Sequence, residues 1–505
     1  MTKQYVAAID QGTTSTRFVV FDKTGAVIAS HQMEHQQIYP RPDHVEHNAM
    51  EIRDNTAAVI LAALEKGGIH PGAIAAVGVT NQRETTLVWD KTTGQPFYNA
   101  IVWQDTRTER ICNALGKDHG PDRFRKTTGL PLSTYFSGPK IKWILDNVDA
   151  ARNAADKGNA LFGTMDTWLI WWLTGGPGKG IHITDVTNAS RTLLMDLETL
   201  SWDAAILETM GIPESMLPEI KPSSEVYGPI ADGWGLAPDT QVAGILGDQQ
   251  AALFGQVCYE TGEAKNTYGT GCFLLANTGT QIIYSQHGLL TTVGYKIGSQ
   301  PAVYALEGSI AIAGSLVQWL RDNIGIISES PEIETLAETV DDNGGVYFVP
   351  AFSGLFAPRW DPTARGLMIG MSHYVTKGHI ARAALEATAF QVYEIFQATE
   401  KDAGITLPHL KTDGGMARNN LLMQFQADIL QVPVIRSSAI ESTVLGAAYA
   451  AGLAVGFWSE TAELKQNWQE DRQWQPAISP EERDERCRKW DKAVAKASGW
   501  TDTQI

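Results

Sequence analysis

Cysteine is scarce in this chain, and the pattern of the few that occur excludes two common scaffolds. There are 4 cysteines in 505 residues, and no two of them form a Cys-x-x-Cys pair. A disulfide framework or a zinc site is therefore not predicted, and reduced thiols are typical of a cytoplasmic protein. The first residues lead directly into a strand-like run rather than a longer apolar core, so no signal peptide is predicted. We expect a cytoplasmic location.

Basic residues are outnumbered, which limits the classes of partner. The chain has 40 Lys and Arg against 57 Asp and Glu, for a formal net charge of -17. Nucleic-acid binding needs a basic face, so a nucleic-acid partner is not expected. The stretch 442–458 has no charged residue, but it is short for a membrane span and rich in glycine and alanine. It predicts a buried, closely packed helix, and we expect no membrane span.

Two familiar nucleotide-binding motifs are missing. Gly178-Lys179 is followed by glycine rather than serine or threonine, which excludes a Walker A loop. Gly269-Thr270-Gly271 lacks the third glycine of a dinucleotide fingerprint, because position 274 is leucine. The glycine-rich turns described below therefore indicate a different nucleotide fold, if they bind a nucleotide.

The length and the pattern of apolar runs predict two α/β domains. A chain of 505 residues is too long for a single core. Strand-like runs at 74–79, 242–246 and 346–349 alternate with helical patterns at 380–401 and 420–430. We predict an N-terminal domain over 1–255, a C-terminal domain over 256–460, and a charged, Trp-rich tail over 461–505 that forms a helical appendix on the surface.

Two polar turns, each between apolar runs, have the composition of phosphate-binding loops. The first follows Asp10 and contains Gly12, Thr13, Thr14 and Ser15. Turn amides and hydroxyl groups suit phosphate oxygens, and Asp10 could hold a divalent cation on them, directly or through water. The second turn lies at 269–271, and it suggests two related halves. Taken alone, the first turn could equally be an ordinary polar hairpin.

Two further segments carry chemistry. Arg83 and Glu84 interrupt two strand-like runs, and an irregular turn there would let a donor and an acceptor reach one small polyol. A surface loop with unrelated charges is the alternative. Asp248 follows a strand and precedes a helical pattern, which suits both a helix N-cap and a catalytic carboxylate at the carboxyl end of a sheet.

Several strings occur in an order that resembles the FGGY carbohydrate kinase family. They are Asp-Gln-Gly-Thr-Thr from 10, Thr-Asn-Gln-Arg-Glu-Thr from 80, Asn-Ala-Ile-Val-Trp-Gln from 99, Gly-Asp-Gln-Gln-Ala-Ala from 247, Ala-Lys-Asn-Thr-Tyr-Gly-Thr-Gly from 264 and Leu-Gly-Ala-Ala-Tyr from 445. The second and fifth are similar to those of the members that phosphorylate glycerol. The resemblance implies an α/β fold of two ribonuclease-H-like domains, as in actin and chaperone ATPases, with the active site in the cleft between them.

The resemblance also implies a set of site residues. Asp248 would be the general base for transfer of a phosphoryl group from ATP to glycerol, the first step of glycerol catabolism. The glycerol site would consist of Arg83, Glu84, Tyr135, Asp248 and Gln249, with Trp103 and Phe273 as an apolar wall. The nucleotide would contact Thr13, Thr14, Ser15, Arg17, Thr270, Gly314, Gln318, Gly415 and Asn419. Mg²⁺ would lie near Asp10, and a homo-oligomer, either a dimer or a tetramer, is expected.

Two other functions remain open at this point. One is an FGGY kinase that acts on a ketose or a larger polyol, which Arg83, Glu84 and Trp103 disfavour. The other is an actin-like or chaperone-type ATPase module without a polyol site. The segment 226–241 contains neither arginine nor histidine, so the regulatory arginine loop and the phosphorylated histidine of some relatives are not expected.

Overall fold

Two β-sheets, one from each half of the chain, form the framework. The computed structural model describes residues 2–439 and 441–501, so the last four residues of the predicted tail lie outside it. The strands of the first half are β1 (Tyr5–Gln11), β2 (Ser15–Phe21), β3 (Val27–Glu34), β4 (Glu46–His47), β5 (Ile74–Asn81), β6 (Leu87–Asp90), β7 (Ala100–Ile101), β8 (Ala160–Gly163), β9 (Ile183–Asp185), β10 (Met195–Asp196), β11 (Ser201–Trp202), β12 (Glu219–Lys221), β13 (Ser224–Pro229) and β14 (Gln241–Gly247).

Nine α-helices accompany these strands in the described part of the first half. They are α1 (Ala49–Gly67), α2 (Glu109–Gly116), α3 (Arg125–Thr128), α4 (Ser137–Asn147), α5 (Asp149–Asp156), α6 (Met165–Leu173), α7 (Val186–Ala189), α8 (Ala204–Met210) and α9 (Asp248–Gly255). Helix α1 begins at the Asn48 N-cap, whose side chain accepts hydrogen bonds from the amides of Met50 and Glu51, and it ends at left-handed Gly68.

The second half repeats the alternation of strands and helices. Its strands are β15 (Ala264–Tyr268), β16 (Cys272–Gly279), β17 (Leu290–Tyr295), β18 (Val303–Ile310), β19 (Tyr347–Val349), β20 (Leu367–Ile369), β21 (Leu410–Asp413), β22 (Val434–Ser437) and β23 (Glu470–Trp474). Its helices are α10 (Gly314–Trp319), α11 (Glu332–Ala337), α12 (Lys377–Ala403), α13 (Asn420–Leu430), α14 (Ser442–Ala454), α15 (Thr461–Asn467) and α16 (Pro480–Ala497). The predicted helices at 380–401 and 420–430 are confirmed by α12 and α13.

The two main sheets share one topology. In the first, β1, β2 and β3 form an antiparallel meander, β5 and β14 continue the sheet in parallel with β1, and β13 closes the edge antiparallel. In the second, β15, β16 and β18 form the meander, β21 and β22 run parallel to β15, and β23 closes the edge. Strand β17 extends the second sheet beyond β18. The two related halves suggested by the paired turns are therefore present.

Helix α14 crosses from the second half to the first. It packs on the face of the first sheet over β1, β5 and β14, and against α9. The crossing is close: a Cβ atom on Gly446 would collide with the carbonyl oxygen of Ala251, and one on Gly78 with that of Ala447. The prediction of a buried helix in 442–458 is confirmed for Ser442–Ala454, where α14 ends four residues before the predicted end. Within residues 2–439 and 441–501, no helix has the length and hydropathy that crossing a bilayer requires.

The tail differs from the prediction of a surface appendix. Strand β23 pairs with β22 as the last strand of the second sheet, and α16 buries Trp490 and Val494 in the core of that half. The sequence pattern for a strand is weak there because four of the five residues of β23 are exposed, as expected at a sheet edge. The two domain boundaries, after residues 255 and 460, remain predictions, although β23 of the tail is an integral part of the second sheet.

Candidate active site

The proposed catalytic segments lie at one edge of the first sheet. In the strand register, Gln11 of β1 and Gly247 of β14 both pair with Asn81 of β5. Because the three strands are parallel, the segments that follow them leave the sheet side by side. The first glycine turn, the Arg83–Glu84 segment and Asp248 therefore share one edge, and Asp248 directly follows a strand, as predicted.

The first turn has the compact geometry of a hairpin loop. The Gly12 amide donates to the Ser15 carbonyl at 2.9 Å. Thr14 is exposed, and the hydroxyl of the half-buried Thr13 accepts from the indole nitrogen of Trp103 at 3.0 Å. The Ser15 hydroxyl accepts from Gln32 at 2.9 Å. The turn therefore presents short hydroxyl side chains and backbone amides at the sheet edge.

Asp10 and Arg17 lie on facing positions of the same hairpin. The Arg17 guanidinium donates to Oδ2 of Asp10 at 2.8 Å and contacts the carboxylate of Glu441 at 2.5 Å. Burial raises the pKa of Asp10, and the nearby Arg17 charge offsets part of that rise. The structure thus brings the predicted cation ligand beside a predicted nucleotide contact, with the guanidinium already held by two carboxylates.

The second turn forms a joint platform with the start of α10. The Gly269 amide donates to the Gly271 carbonyl at 2.9 Å, and the Gly314 amide donates to the Gly269 carbonyl at 3.0 Å. The carbonyl of the exposed Thr270 accepts from the amide of Ser315 at 3.1 Å. A Cβ on Gly314 would lie 2.6 Å from the Gly269 oxygen, so this approach requires glycine.

The remaining predicted nucleotide residues border this platform. Register pairs Thr267 of β15 with Asp413 of β21, so the turns that follow both strands lie together. Gly415 is exposed, and Asn419 caps α13 by accepting from the Leu422 amide at 2.8 Å. Gln318 is exposed on α10. The predicted nucleotide residues of the second half thus surround an open ledge beside the second turn.

The Arg83–Glu84 segment is irregular, as predicted. Glu84 has a φ of 59°, which is unusual for a residue with a side chain. This backbone turn lets consecutive side chains reach the same region instead of opposite faces of a strand. Both side chains are 2% exposed, so the alternative of a solvated surface loop is wrong.

Arg83 and Glu84 belong to a buried cluster of four alternating charges. The Arg83 guanidinium binds both carboxylate oxygens of Glu307, with one of the bonds at 2.9 Å. Arg191 donates from Nε to Glu84 at 2.7 Å and lies 3.3 Å from Glu307. Burial opposes ionisation of Glu307, but Arg191 and Arg83 outweigh it and lower the pKa of Glu307 to about 2. Neither Arg191 nor Glu307 was identified from the sequence.

Asp248 is held at the open side of this cluster. Its Oδ1 lies 3.0 Å from Nε of Arg83 and accepts a hydrogen bond from the backbone amide of Gln249 at 2.8 Å. Gly247 is the N-cap of α9 and Asp248 is its first residue, so the predicted N-cap role is wrong by one position. About a third of the Asp248 side chain is exposed, at 32%. Burial raises its pKa, and Arg83 offsets only part of the rise.

Gln249 connects Asp248 to a lysine that the sequence did not single out. The side-chain amide nitrogen of Gln249 lies 3.3 Å from Oδ2 of Asp248, and the side-chain amide oxygen accepts a hydrogen bond from Nζ of Lys265 at 2.6 Å. Lys265 is fully buried on β15. The pair therefore joins helix α9 of the first half to the second sheet, beside the candidate catalytic carboxylate.

Three aromatic side chains line the same region. The rings of Trp103 and Tyr135 are 5.7 Å apart in an edge arrangement. The Arg191 guanidinium lies 5.4 Å from the centre of the Tyr135 ring, and that of Arg83 lies 5.9 Å from the centre of the Phe273 ring. All three rings are only partly buried. They give the charged cluster an apolar border that a ligand can reach.

Comparison with known proteins identifies the family. The model of the FGGY family of carbohydrate kinases, N-terminal domain, matches residues 5–255, and that of the C-terminal domain matches 264–455. Glycerol kinase of Pseudarthrobacter chlorophenolicus is 62% identical over 502 residues, covering 99% of both chains. Glycerol kinase of Clavibacter michiganensis is 61% identical over 505 residues, covering 100% of both.

A solved structure supports the same grouping. The crystal structure of Plasmodium falciparum glycerol kinase with ADP has a TM-score of 0.91 and 38% identity, and the match covers 98% of each chain. A ligand-bound xylulose kinase from Lactobacillus acidophilus has a TM-score of 0.85 at 22% identity, which shows the shared fold alone. The fold and the site define a two-domain sugar kinase. The chain belongs to the FGGY family of carbohydrate kinases and, within it, to the glycerol kinases.

Proposed function

We propose that this protein transfers the γ-phosphoryl group of ATP to glycerol and yields sn-glycerol 3-phosphate. The observation that carries the proposal is the convergence of Arg83, Glu84 and Asp248 on one aromatic-lined region. This constellation lies in a chain that matches glycerol kinases from end to end. A role in glycerol catabolism in the cytoplasm is part of the same proposal, as is assembly into a homo-oligomer.

The site has the donors, acceptors and apolar surface that a triol requires. Arg83 donates hydrogen bonds only, and an ionised Glu84 accepts them, so the two together bind hydroxyl groups as acceptor and donor. Tyr135 and Gln249 add further polar contacts. Trp103 and Phe273 provide apolar surface for the carbon backbone, in the usual division of a small-ligand site. A longer sugar would have to place more hydroxyl groups against these rings.

Asp248 acts as the general base in this proposal. It accepts the proton of the attacking hydroxyl as the new oxygen–phosphorus bond forms, while the bond from the γ-phosphorus to the bridging oxygen breaks and ADP leaves with the electron pair. The raised pKa of Asp248 improves its capacity to accept a proton. Its partly exposed carboxylate is accessible to substrate, whereas Glu307 is fully buried and ionised.

The two glycine turns are the proposed sites for the phosphates of ATP. Thr13, Thr14, Ser15 and Arg17 would contact them from the first half, and Thr270 would do so from the second. The adenosine would occupy the ledge bordered by Gly314, Gln318, Gly415 and Asn419. The Plasmodium falciparum relative was crystallised with ADP, which supports the binding of an adenine nucleotide by this fold. Closure of the two halves on both substrates would exclude water and limit hydrolysis of ATP.

Asp10 is suitable as a Mg²⁺ ligand. One of its oxygens accepts from Arg17, and its other oxygen accepts no hydrogen bond within the described residues. Carboxylate oxygens are preferred by Mg²⁺, which commonly uses one or two of them together with substrate phosphates and water. When bound there, Mg²⁺ would neutralise charge on the phosphate oxygens. No group of three or more His, Cys, Asp or Glu within the described ranges forms a complete protein metal site.

Coupled ADP release tests the substrate. The purified protein is supplied with Mg²⁺ and ATP, with glycerol, xylulose, gluconate, ribitol or no acceptor. We expect strong dependence on glycerol. Turnover with xylulose but not with glycerol would indicate a ketose kinase. A rate of ADP release that is the same with every acceptor and without one would indicate an ATPase module.

A further inference from the structure

Lys265 is a buried cation close to Asp248, and the proposed reaction gives it no role. Its Nζ donates to Oε1 of Gln249 at 2.6 Å, to the Thr267 hydroxyl at 2.9 Å and to the Phe273 carbonyl at 3.3 Å. A lysine ammonium has three donors and no acceptor. All three donors are therefore used within the protein, and none is left for a substrate in this arrangement.

Lys265 determines the orientation of the Gln249 side-chain amide. Because Nζ can only donate, the amide oxygen must face Lys265. The amide nitrogen then faces Asp248, and it lies 3.3 Å from Oδ2 of that carboxylate. The rotated amide would place a donor against the ammonium group and an acceptor against the carboxylate, and both contacts would be repulsive.

We infer that Lys265 is a positioning residue for the proposed phosphoryl transfer, because it fixes the Gln249 amide and keeps Asp248 ionised by its charge. The inference rests on the proposed function and extends it to a residue of the second half. Lys265 lies on β15, and Gln249 lies on α9 next to Asp248. The orientation of the base thus depends on a contact between α9 of the first half and the second sheet.

The charges around Lys265 agree with this role. Burial lowers its pKa to about 8, against the stabilising charges of Asp413, Asp248 and Glu307. The other groups that face it are Arg83, Cys258 and Cys272. Burial raises the pKa of both thiols to about 12, the pKa of Glu307 is about 2, and Arg83 stays charged. These four groups therefore keep one charge state between pH 5 and 10.

Two consequences for the pH profile follow from this arrangement. Loss of the Lys265 charge raises the pKa of Asp248, since an opposite charge favours the ionised carboxylate. Deprotonation of Lys265 near pH 8 removes the charge that orients the amide, so kcat should fall as the pH rises through that value. The fall in activity at low pH, which follows Asp248, is the acid limb of the profile, and the fall near pH 8 is its alkaline limb. A lysine with a purely structural role would affect neither limb.

The test compares kcat/KM and kcat for glycerol from pH 5 to 10 in the wild type, Lys265→Met and Lys265→Arg. We expect Lys265→Met to lower kcat by about 10- to 100-fold, to lose the alkaline limb, and to move the acid limb upward by about one pH unit. Lys265→Arg should keep the acid limb of the wild type and lose the alkaline limb, because arginine does not deprotonate. Its profile decides the question if Lys265→Met does not fold.

Lys411→Met is the matched control. Lys411 is the register neighbour of Lys265 on β21, is also buried, and donates to the Gln256 carbonyl at 3.0 Å, away from Asp248. Its pH profile should equal that of the wild type. Unchanged limbs in Lys265→Met or Lys265→Arg would overturn the inference and leave the proposed function intact. Absence of glycerol turnover in the wild type would contradict the proposed function itself.

Discussion

The guanidinium of Arg83 and the carboxylate of Glu307 form a two-point ion pair that joins the two halves of the chain. Arg83 follows β5 of the first sheet, whereas Glu307 lies on β18 of the second. The pair fixes the side chain that also lies 3.0 Å from Asp248. The proposed glycerol site thus takes most of its residues from the first half, and Glu307 of the second half positions Arg83 within it.

Glu307→Gln tests this coupling. The substitution leaves Arg83 and Arg191 buried with one carboxylate fewer, so we expect the free energy of unfolding to fall by about 3 kcal/mol. The KM for glycerol should rise at least about tenfold, which corresponds to 1.4 kcal/mol, with a small effect on the KM for ATP. Urea unfolding and steady-state kinetics measure both quantities.

An exposed ion pair provides the control for that variant. Lys142 and Asp146 are four residues apart on α4, and their side chains are 27% and 40% exposed. Asp146→Asn should change the free energy of unfolding by less than about 1 kcal/mol, because solvent screens such pairs. An equally small loss in Glu307→Gln, with an unchanged KM for glycerol, would show that the buried cluster does not position Arg83.

Asp248→Asn tests the proposed base. The amide keeps the shape of the side chain but cannot accept the proton of glycerol, so kcat should fall by about two to four orders of magnitude. Folding and ATP binding should be retained, as measured by thermal unfolding and by calorimetric titration. A folded variant with turnover near that of the wild type would remove Asp248 from the mechanism.

The acid side of the pH profile provides an independent check on the same residue. Burial raises the pKa of Asp248, so the base is lost at a higher pH than an ordinary aspartate would be. As the pH falls through this pKa, Asp248 becomes protonated and kcat/KM for glycerol should fall tenfold per pH unit. The residual activity of Asp248→Asn should lack this limb. The same limb in both proteins would assign the titration to another group.

Gly446→Ala tests the close crossing of α14 and α9. The added methyl group would collide with the Ala251 carbonyl oxygen, so we expect a loss of at least about 1–3 kcal/mol in the free energy of unfolding. Gly116→Ala is the control, since its nearest neighbour would be 3.5 Å away at the end of α2. That change should be neutral or stabilising by up to about 1 kcal/mol. Equal effects of the two substitutions would contradict the steric argument.

The sequence predicted those parts of the structure in which local pattern and local structure agree. The paired glycine turns, the irregular segment at Arg83 and Glu84, and the helices α12 and α13 all have signals within a short window. Asp248 at the carboxyl end of a strand also agrees with the general rule for α/β sites. The edge that it shares with the first turn and Arg83 depends on the order of the strands, which the sequence did not predict. The confirmed two-domain fold depended on the same alternation of apolar runs.

The partners of Arg83 could not be predicted in this way. Glu307 is 224 positions away along the chain, and Arg191 reaches Glu84 over 107 positions. Each occurs in an apolar or mixed segment where a single charge has no distinctive pattern. The strand β23 was not predicted because its residues are mostly charged and exposed and show no alternation of apolar and polar side chains. Such a strand forms only by pairing at the edge of a sheet.

The most direct test of the central claim is the identity of the product. Wild-type protein and Asp248→Asn are incubated with Mg²⁺, ATP and glycerol, and the reaction is followed by ³¹P NMR and by stereospecific oxidation of sn-glycerol 3-phosphate. We predict that the wild type forms this phosphomonoester in equal amount with ADP and that Asp248→Asn forms almost none. Inorganic phosphate as the main product, or a glycerol phosphate that the stereospecific enzyme does not oxidise, would contradict the account.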